Sequence, residues 1–291
     1  MLPCALCLEN TDLRVSHILP AFVFRWLRER SVTGHIRSTD NINKRIQDGP
    51  KKPWLCGPCE QSLGRDEREF STRLFGPWLN NTVRIEYGPW LQRFCTSISW
   101  RVLKHCKGLN LDHSYSADED RIAAEAESVW RDYLQGRRSG IGRFEQHLLP
   151  LDIIESTTVP DLADNINRYM SGYIDMDIAG TSKTMLTYAK LGRFAIFGMI
   201  KKGRGPWEGT RVNAQHGYLR PGKYVLPYGL IDFFNDRARR VRAAMDDMSP
   251  VQTAKIDAAF LANIDRAADS DQVKAMLADA HFFGEEAIIR R

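Results

Sequence analysis

The spacing of apolar positions changes along the chain, and the changes divide it into segments. An extended stretch from Leu13 to Ile18 is followed by a short apolar run from Phe22 to Leu27 and then by a polar loop. From Glu60 to Leu74 the apolar residues are Leu63, Phe70 and Leu74, spaced by seven and four, which predicts an exposed helix. Gly64 inside it costs about 1 kcal/mol relative to alanine. After the Gly88-Pro89 break, Trp90, Leu91, Phe94, Ile98, Val102 and Leu103 recur at helical spacing and predict a core helix over Trp90 to Cys106. Ala117 to Leu134, rich in Ala and Glu and ended by Gly136, predicts another helix.

The period then shortens. Asn167 to Asp177 and Thr184 to Tyr188 read as extended, and Phe194 to Met199 as a buried strand running into the basic turn Lys201-Lys202-Gly203-Arg204-Gly205. Trp207 to Asn213 is expected to return as its partner. Leu230 to Met248 and Pro250 to Ala267 resume helical spacing, with Ser249-Pro250 as the start signal of the second helix. The pattern predicts an α+β protein in two units. Residues 1–75 would form a small metal-clamped module, and residues 76–291 an α+β body of helices and a small antiparallel sheet.

Composition alters this picture little. A chain of 291 residues, 43% hydrophobic and 26% charged, has the makeup of an ordinary globular protein long enough for two domains. It has no apolar run of about 18 residues and no basic-then-apolar leader, so the expectation is a cytoplasmic protein with no membrane segment. The net charge of +5 is compatible with a polyanionic partner but does not require one. Oligomeric state is not derivable from the pattern.

The cysteines carry the most specific chemistry. Four of the six form the pairs Cys4/Cys7 and Cys56/Cys59, 48 residues apart, so a folded element must lie between them. Two such knuckles enclose one zinc tetrahedrally, and the expectation is a structural Zn²⁺ on Cys4, Cys7, Cys56 and Cys59. A closed four-thiolate site leaves no position for substrate, so any catalysis needs other residues. Cys95 and Cys106 are expected as buried free thiols.

The first pair is followed by Ser16-His17-Ile18-Leu19-Pro20, and the second by a polar residue that opens a helix. This order resembles a zinc-bound member of the HNH nuclease group, over about the first quarter of the chain. The resemblance implies a zinc-clamped ββα-metal, treble-clef-like head on an α+β body, acting as a metal-dependent endonuclease on DNA. Nucleases of this kind serve genome defence or mobile elements. By that likeness His17 is the general base and Glu60 takes the place of the His or Asn metal ligand on the helix, while Asn43 is assigned the middle Asn role. A catalytic Mg²⁺ or Mn²⁺ is implied, with Glu67, two turns beyond Glu60, as a second carboxylate and Asp48 as a further donor. The remainder of the chain more loosely resembles uncharacterised bacterial proteins.

Two positions depart from the group. Ser16 stands where a cation-holding Asp, Glu or His is usual, and a hydroxyl is a poor Mg²⁺ ligand. Glu60 replaces the usual helix ligand. These departures equally suit a non-catalytic zinc-binding module that binds nucleic acid or a protein. Acidic side chains in a helix first turn also complement the macrodipole, and a His in a strand also serves as a structural donor. Arg25, Arg28, Arg30, Arg37, Lys44, Arg45, Lys51 and Lys52, between the knuckles, are the expected phosphate contacts. The Arg237, Arg239, Arg240 and Arg242 group is expected as a solvated helix face, and Glu145-Gln146-His147 and Asp175-Met176-Asp177 as satisfied polar groups.

Overall fold

The computed structural model describes residues 2–31, 33–109, 115–268 and 270–288. The N-terminal part begins with a knuckle between two short paired strands, β1 (Leu2–Pro3) and β2 (Asn10–Thr11), and continues into β3 (Leu13–His17). Helix α1 (Ala21–Arg30) and a hairpin of β4 (Ile36–Ser38) and β5 (Asn41–Ile46) come next. β6 (Lys51–Cys56) then returns antiparallel to β3, with Leu13 opposite Cys56 and His17 opposite Lys51. Helix α1 and the β4–β5 hairpin are therefore an insertion inside the β3–β6 connection. Helix α2 (Gly57–Phe70) starts where β6 ends, with Pro58 in its first turn, where the missing N–H costs nothing. It runs through a π-helical turn, Ser71–Phe75, into α3 (Gly76–Leu79).

The body contains β7 (Ile85–Tyr87), α4 (Pro89–Gly108), α5 (Ala117–Leu134), β8 (Gln146–Pro150) and α6 (Ile166–Gly172). It continues with β9 (Ile174–Thr181), β10 (Thr184–Leu191), β11 (Phe194–Lys201) and β12 (Gly217–Leu219). Helices α7 (Leu230–Asp246), α8 (Pro250–Ala262), α9 (Ile264–Ala268) and α10 (Asp271–Phe283) follow. An antiparallel sheet in the order β8-β11-β10-β9 forms its centre, and β12 pairs with β7. Helices and antiparallel strands thus share the chain as the sequence predicts. Among the described residues no helix is long and apolar enough to cross a membrane.

Helix α4 organises the whole. It is buried on most of its circumference, covered by the sheet and by α2 and α5, and it carries Gln92, Thr96, Ser97, Ser99 and Arg101 inside along with its apolar stripe. At Gly198 of β11 a Cβ would meet the Ser99 hydroxyl of α4 at 2.4 Å, so the close approach of helix to sheet needs glycine there. The N-terminal apolar residues join this core: Phe70 of α2 stacks on Phe94 of α4 with ring centroids 4.0 Å apart, and Phe194 of β11 meets Phe70 edge-on. Cys95 and Cys106 are buried and free, as expected.

Four expectations are corrected. The stretch from Asn167 is not extended at its start: Ile166, Tyr169 and Met170 bury one face of the short helix α6, and only from Ile174 does the chain become a strand. Trp207 to Asn213 does not partner β11, whose two edges are taken by β10 and β8; it makes single bridges, Arg211 to His147 and Glu208 to Val225. The helix expected from Pro250 is broken at Asn263 into α8 and α9. The arginine group of α7 is also not wholly a solvated face. Arg237 is 11% exposed and donates to both oxygens of Asp175 and to Asp177 at 2.8 Å each, so the two aspartates on one face of β9 share one guanidinium.

His147 is a buried histidine with a measurable consequence. Its Nδ1 lies 2.9 Å from the Thr210 hydroxyl and its ring packs against Trp207. Burial, opposed in part by Glu145, lowers its pKa to about 4. The unfolded chain takes up this proton near pH 6.5. Stability from the neutral ring is therefore full above pH 6.5 and lost as pH falls towards 4, by up to about 3 kcal/mol. Denaturant unfolding across that window should show this loss, and His147→Gln should flatten it; an unchanged slope in the variant would contradict the assignment.

Candidate metal centre and the His17 site

The β3–β6 pairing brings the two cysteine pairs together. Cys4 and Cys7 lie in the knuckle, where Leu8 adopts a left-handed conformation (φ 69°) and donates its N–H to the Cys4 carbonyl. The Ala5 N–H bonds the Trp54 carbonyl of β6 at 2.8 Å and fixes the knuckle against the strand that ends in Cys56. Cys59 follows in the first turn of α2. The four Sγ atoms all lie within 4.8 Å of one another, and Cys7 and Cys56 are 3.8 Å apart. A tetrahedral ion with bonds of about 2.3 Å sets its sulfurs about 3.8 Å apart, so the cluster is close enough to hold a metal and compatible with structural zinc.

The electrostatics agree with a cation. Burial opposes ionisation of Cys4, but the backbone N–H groups of Cys7, Cys56 and Leu6 outweigh it and bring the thiol to about 7. Burial and the neighbouring thiols push Cys59 far above the ordinary range. Four thiolates so close together need a positive charge among them. Gln135, at the end of α5, donates to the Cys59 sulfur at 3.6 Å, so the body contributes a hydrogen bond to the cluster.

His17 ends β3 at the other end of the same hairpin. Its Nε2 is 2.7 Å from Asp48 Oδ2, its ring stacks against Phe24 of α1, and its carbonyl accepts from Arg101 of α4 at 3.3 Å. The second Asp48 oxygen accepts the Gly49 N–H at 2.9 Å, and Lys51 approaches the first to 3.5 Å. Although burial opposes ionisation, the contacts with His17, Gly49 and Lys51 hold the Asp48 carboxyl below its usual range. A Cβ on Gly49 would overlap the Phe24 ring at 2.1 Å, so only glycine lets this turn close onto α1 and present Asp48 to His17.

The other expected site residues separate. Glu67 accepts from Arg101 at 2.6 Å, and Arg101, 3% exposed, also bonds the Ser97 hydroxyl. One buried guanidinium therefore links Glu67 to the His17 backbone. Glu60 is half-buried and makes no ion pair among the described residues. A rise of about 1.5 Å per residue sets Glu60 and Glu67 about 10.5 Å apart along α2, and Arg101 draws Glu67 away from a shared cation. Asn43 is not at His17: its side chain accepts the Ser249 N–H at 2.8 Å and donates to the Asp247 carbonyl, tying β5 to the α7–α8 junction. Ser16 is buried and bonds the Arg14 carbonyl.

Among the described residues no second group of three His, Cys, Asp or Glu donors meets. Glu60, one residue after Cys59, lies at the cysteine end of the hairpin, whereas His17 ends β3 at the other. The expected phosphate contacts are also partly occupied. Arg28 bonds the Gln47 carbonyl, Arg30 pairs with Asp271, Arg37 bonds Ile42 and Gln252, Lys51 faces Asp48, and Lys52 lies over Trp54. Arg25, Lys44 and Arg45 remain exposed.

Sequence reasoning passed over Arg101 and Gln135, which reach the site from the body. The available signal for Arg101 was a lone charge within the buried stripe of α4. No family model matches the chain, and no curated protein or solved structure matches it.

Proposed function

We propose that the N-terminal part is a zinc-clamped ββα, treble-clef-like head, and that the protein is a metal-dependent endonuclease hydrolysing DNA phosphodiester bonds. The observation that carries this reading is the 2.7 Å pair between His17 and Asp48, on a hairpin whose second strand leads directly through the cysteine pair into α2. The order β3, β6, α2 is the order the ββα architecture requires. His17 acts as general base towards water through Nδ1, the ring nitrogen that Asp48 does not engage. Asp48 orients the ring and stabilises the imidazolium that forms. Arg101, held by Glu67 and Ser97, fixes the His17 backbone. A bound Mg²⁺ or Mn²⁺ would offset charge on the phosphate.

Plasmid cleavage with added Mg²⁺ or Mn²⁺ tests the reading. Wild type should cleave, and Asp48→Asn should lower kcat about 10–100-fold with little change in KM, because it weakens orientation of the base and not binding. Absence of wild-type cleavage in either metal contradicts the reading, and a variant as fast as wild type contradicts the role of Asp48. One observation favours a second reading. Glu67 is committed to Arg101 and Ser16 offers no carboxylate, as in a module that binds nucleic acid or a protein without cleaving.

A further inference from the structure

Helix α2 places a glycine in its interior with no reason inside the chain. A Cβ at Gly64 would find nothing within 4 Å, yet glycine there costs about 1 kcal/mol relative to alanine. Gly64 lies in a shallow, open hollow on the outward face of α2, together with Pro58, Gln61, Ser62, Arg65 and Arg68. The charges around this hollow are unbalanced in one direction. Asp66 pairs with Arg93, Glu67 with Arg101 and Glu69 with Arg73, so three of the α2 carboxylates are neutralised. Arg65 and Arg68 pair with no carboxylate among the described residues, and Arg65 makes only a 3.5 Å contact with the Ser62 hydroxyl. Glu60, one turn before Gly64, is the single opposing charge on the helix without a cation partner among the described residues.

We propose that this hollow docks the phosphodiester backbone of duplex DNA, with Arg65 and Arg68 as phosphate contacts, Gln61 and Ser62 as neutral donors, and Gly64 as the point of closest approach to the helix. Charge complementarity selects a polyanion, and the choice of DNA rests on the endonuclease reading above. Gly64 is four residues from Glu60 and three from Glu67, so the hollow borders the carboxylate side of α2. A backbone lying in it would pass beside Glu60.

The test is fluorescence anisotropy of a labelled DNA duplex, with the His17→Ala protein and no added Mg²⁺ or Mn²⁺, so that bound DNA stays intact. In that background Arg65→Ala/Arg68→Ala should make the slope of log affinity against log salt shallower by about 1.8, the signature of two lost phosphate contacts. Gly64→Ala should raise the melting temperature by about 2 °C while weakening binding about tenfold. These opposite signs separate a blocked groove from a damaged fold.

A double variant with the unaltered salt slope overturns the proposal. So does Gly64→Ala with unchanged affinity, or tighter binding of polyglutamate, an acidic-protein mimic, than of DNA. If wild type cleaves while binding ignores Arg65 and Arg68, the groove falls and the nuclease reading stands. Binding through α2 without cleavage in any metal gives the reverse.

Discussion

Cys56→Ser is expected to abolish metal binding and to unfold the β3–β6 hairpin with the first turn of α2, while the body stays folded. Cys56 closes β6, sits opposite Leu13, and is 3.8 Å from Cys7 through sulfur. Removing one of four thiolates opens a closed site and leaves the others crowded without a full complement of ligands. Structural zinc contributes about 10–16 kcal/mol in small zinc modules, as much as the whole stability of a typical domain of about 5–15 kcal/mol. Little else replaces it within the knuckle: β1 and β2 are two residues each, and the knuckle depends on single bonds such as Ala5 to Trp54, whereas Trp54 itself also packs on Trp100 of α4. The body has its own support in α4 and the four-stranded sheet. Elemental analysis should find one zinc per wild-type chain and none in the variant. Hydrogen exchange should accelerate at Arg14–His17 and Lys51–Leu55 while β10 and β11 remain protected. A variant with bound zinc and unchanged protection would contradict this account.

The second large effect is expected at His17. Loss of a general base costs about 10²–10⁴ in rate, so His17→Ala should reduce cleavage by that factor. Zinc content should not change. His17 is four residues from Leu13 along β3, and Leu13 lies opposite Cys56, so about 13 Å of strand separates His17 from the cysteine cluster. The imidazole is also not among the donors that meet in that cluster. A loss of zinc in the variant would mean that His17 supports the fold and not the chemistry.

The residues that announce themselves locally were legible. Two Cys-x-x-Cys pairs specify a cluster whatever lies between them, and the stripe from Trp90 marks α4 because apolar residues recur along it at helical spacing. The core strand at Phe194 was legible as a short apolar run. Contacts between distant segments were not. The Asp48 carboxylate reaches His17 because Gly49 packs on Phe24, and a glycine in a polar loop carries no sign of which ring it will meet. Asn43 looked like a site residue in a polar stretch, but β5 turns it towards the α7–α8 junction, more than two hundred residues away in sequence. Arg101 was hidden in the opposite sense: its helix was predicted, while the ion pair with Glu67 and the bond to His17 depend on how α4 meets α2 and β3. The helix α6 was missed because its seven residues give less than two turns of periodicity.

The measurement closest to the central claim is supercoiled-plasmid cleavage by wild type and His17→Ala with Mg²⁺ or Mn²⁺, zinc being assayed in the same samples. The account predicts cleavage by wild type, a loss of about 10²–10⁴ in the variant, and equal zinc in both. Equal cleavage rates in the two proteins, or no cleavage by zinc-loaded wild type in either metal, would contradict it.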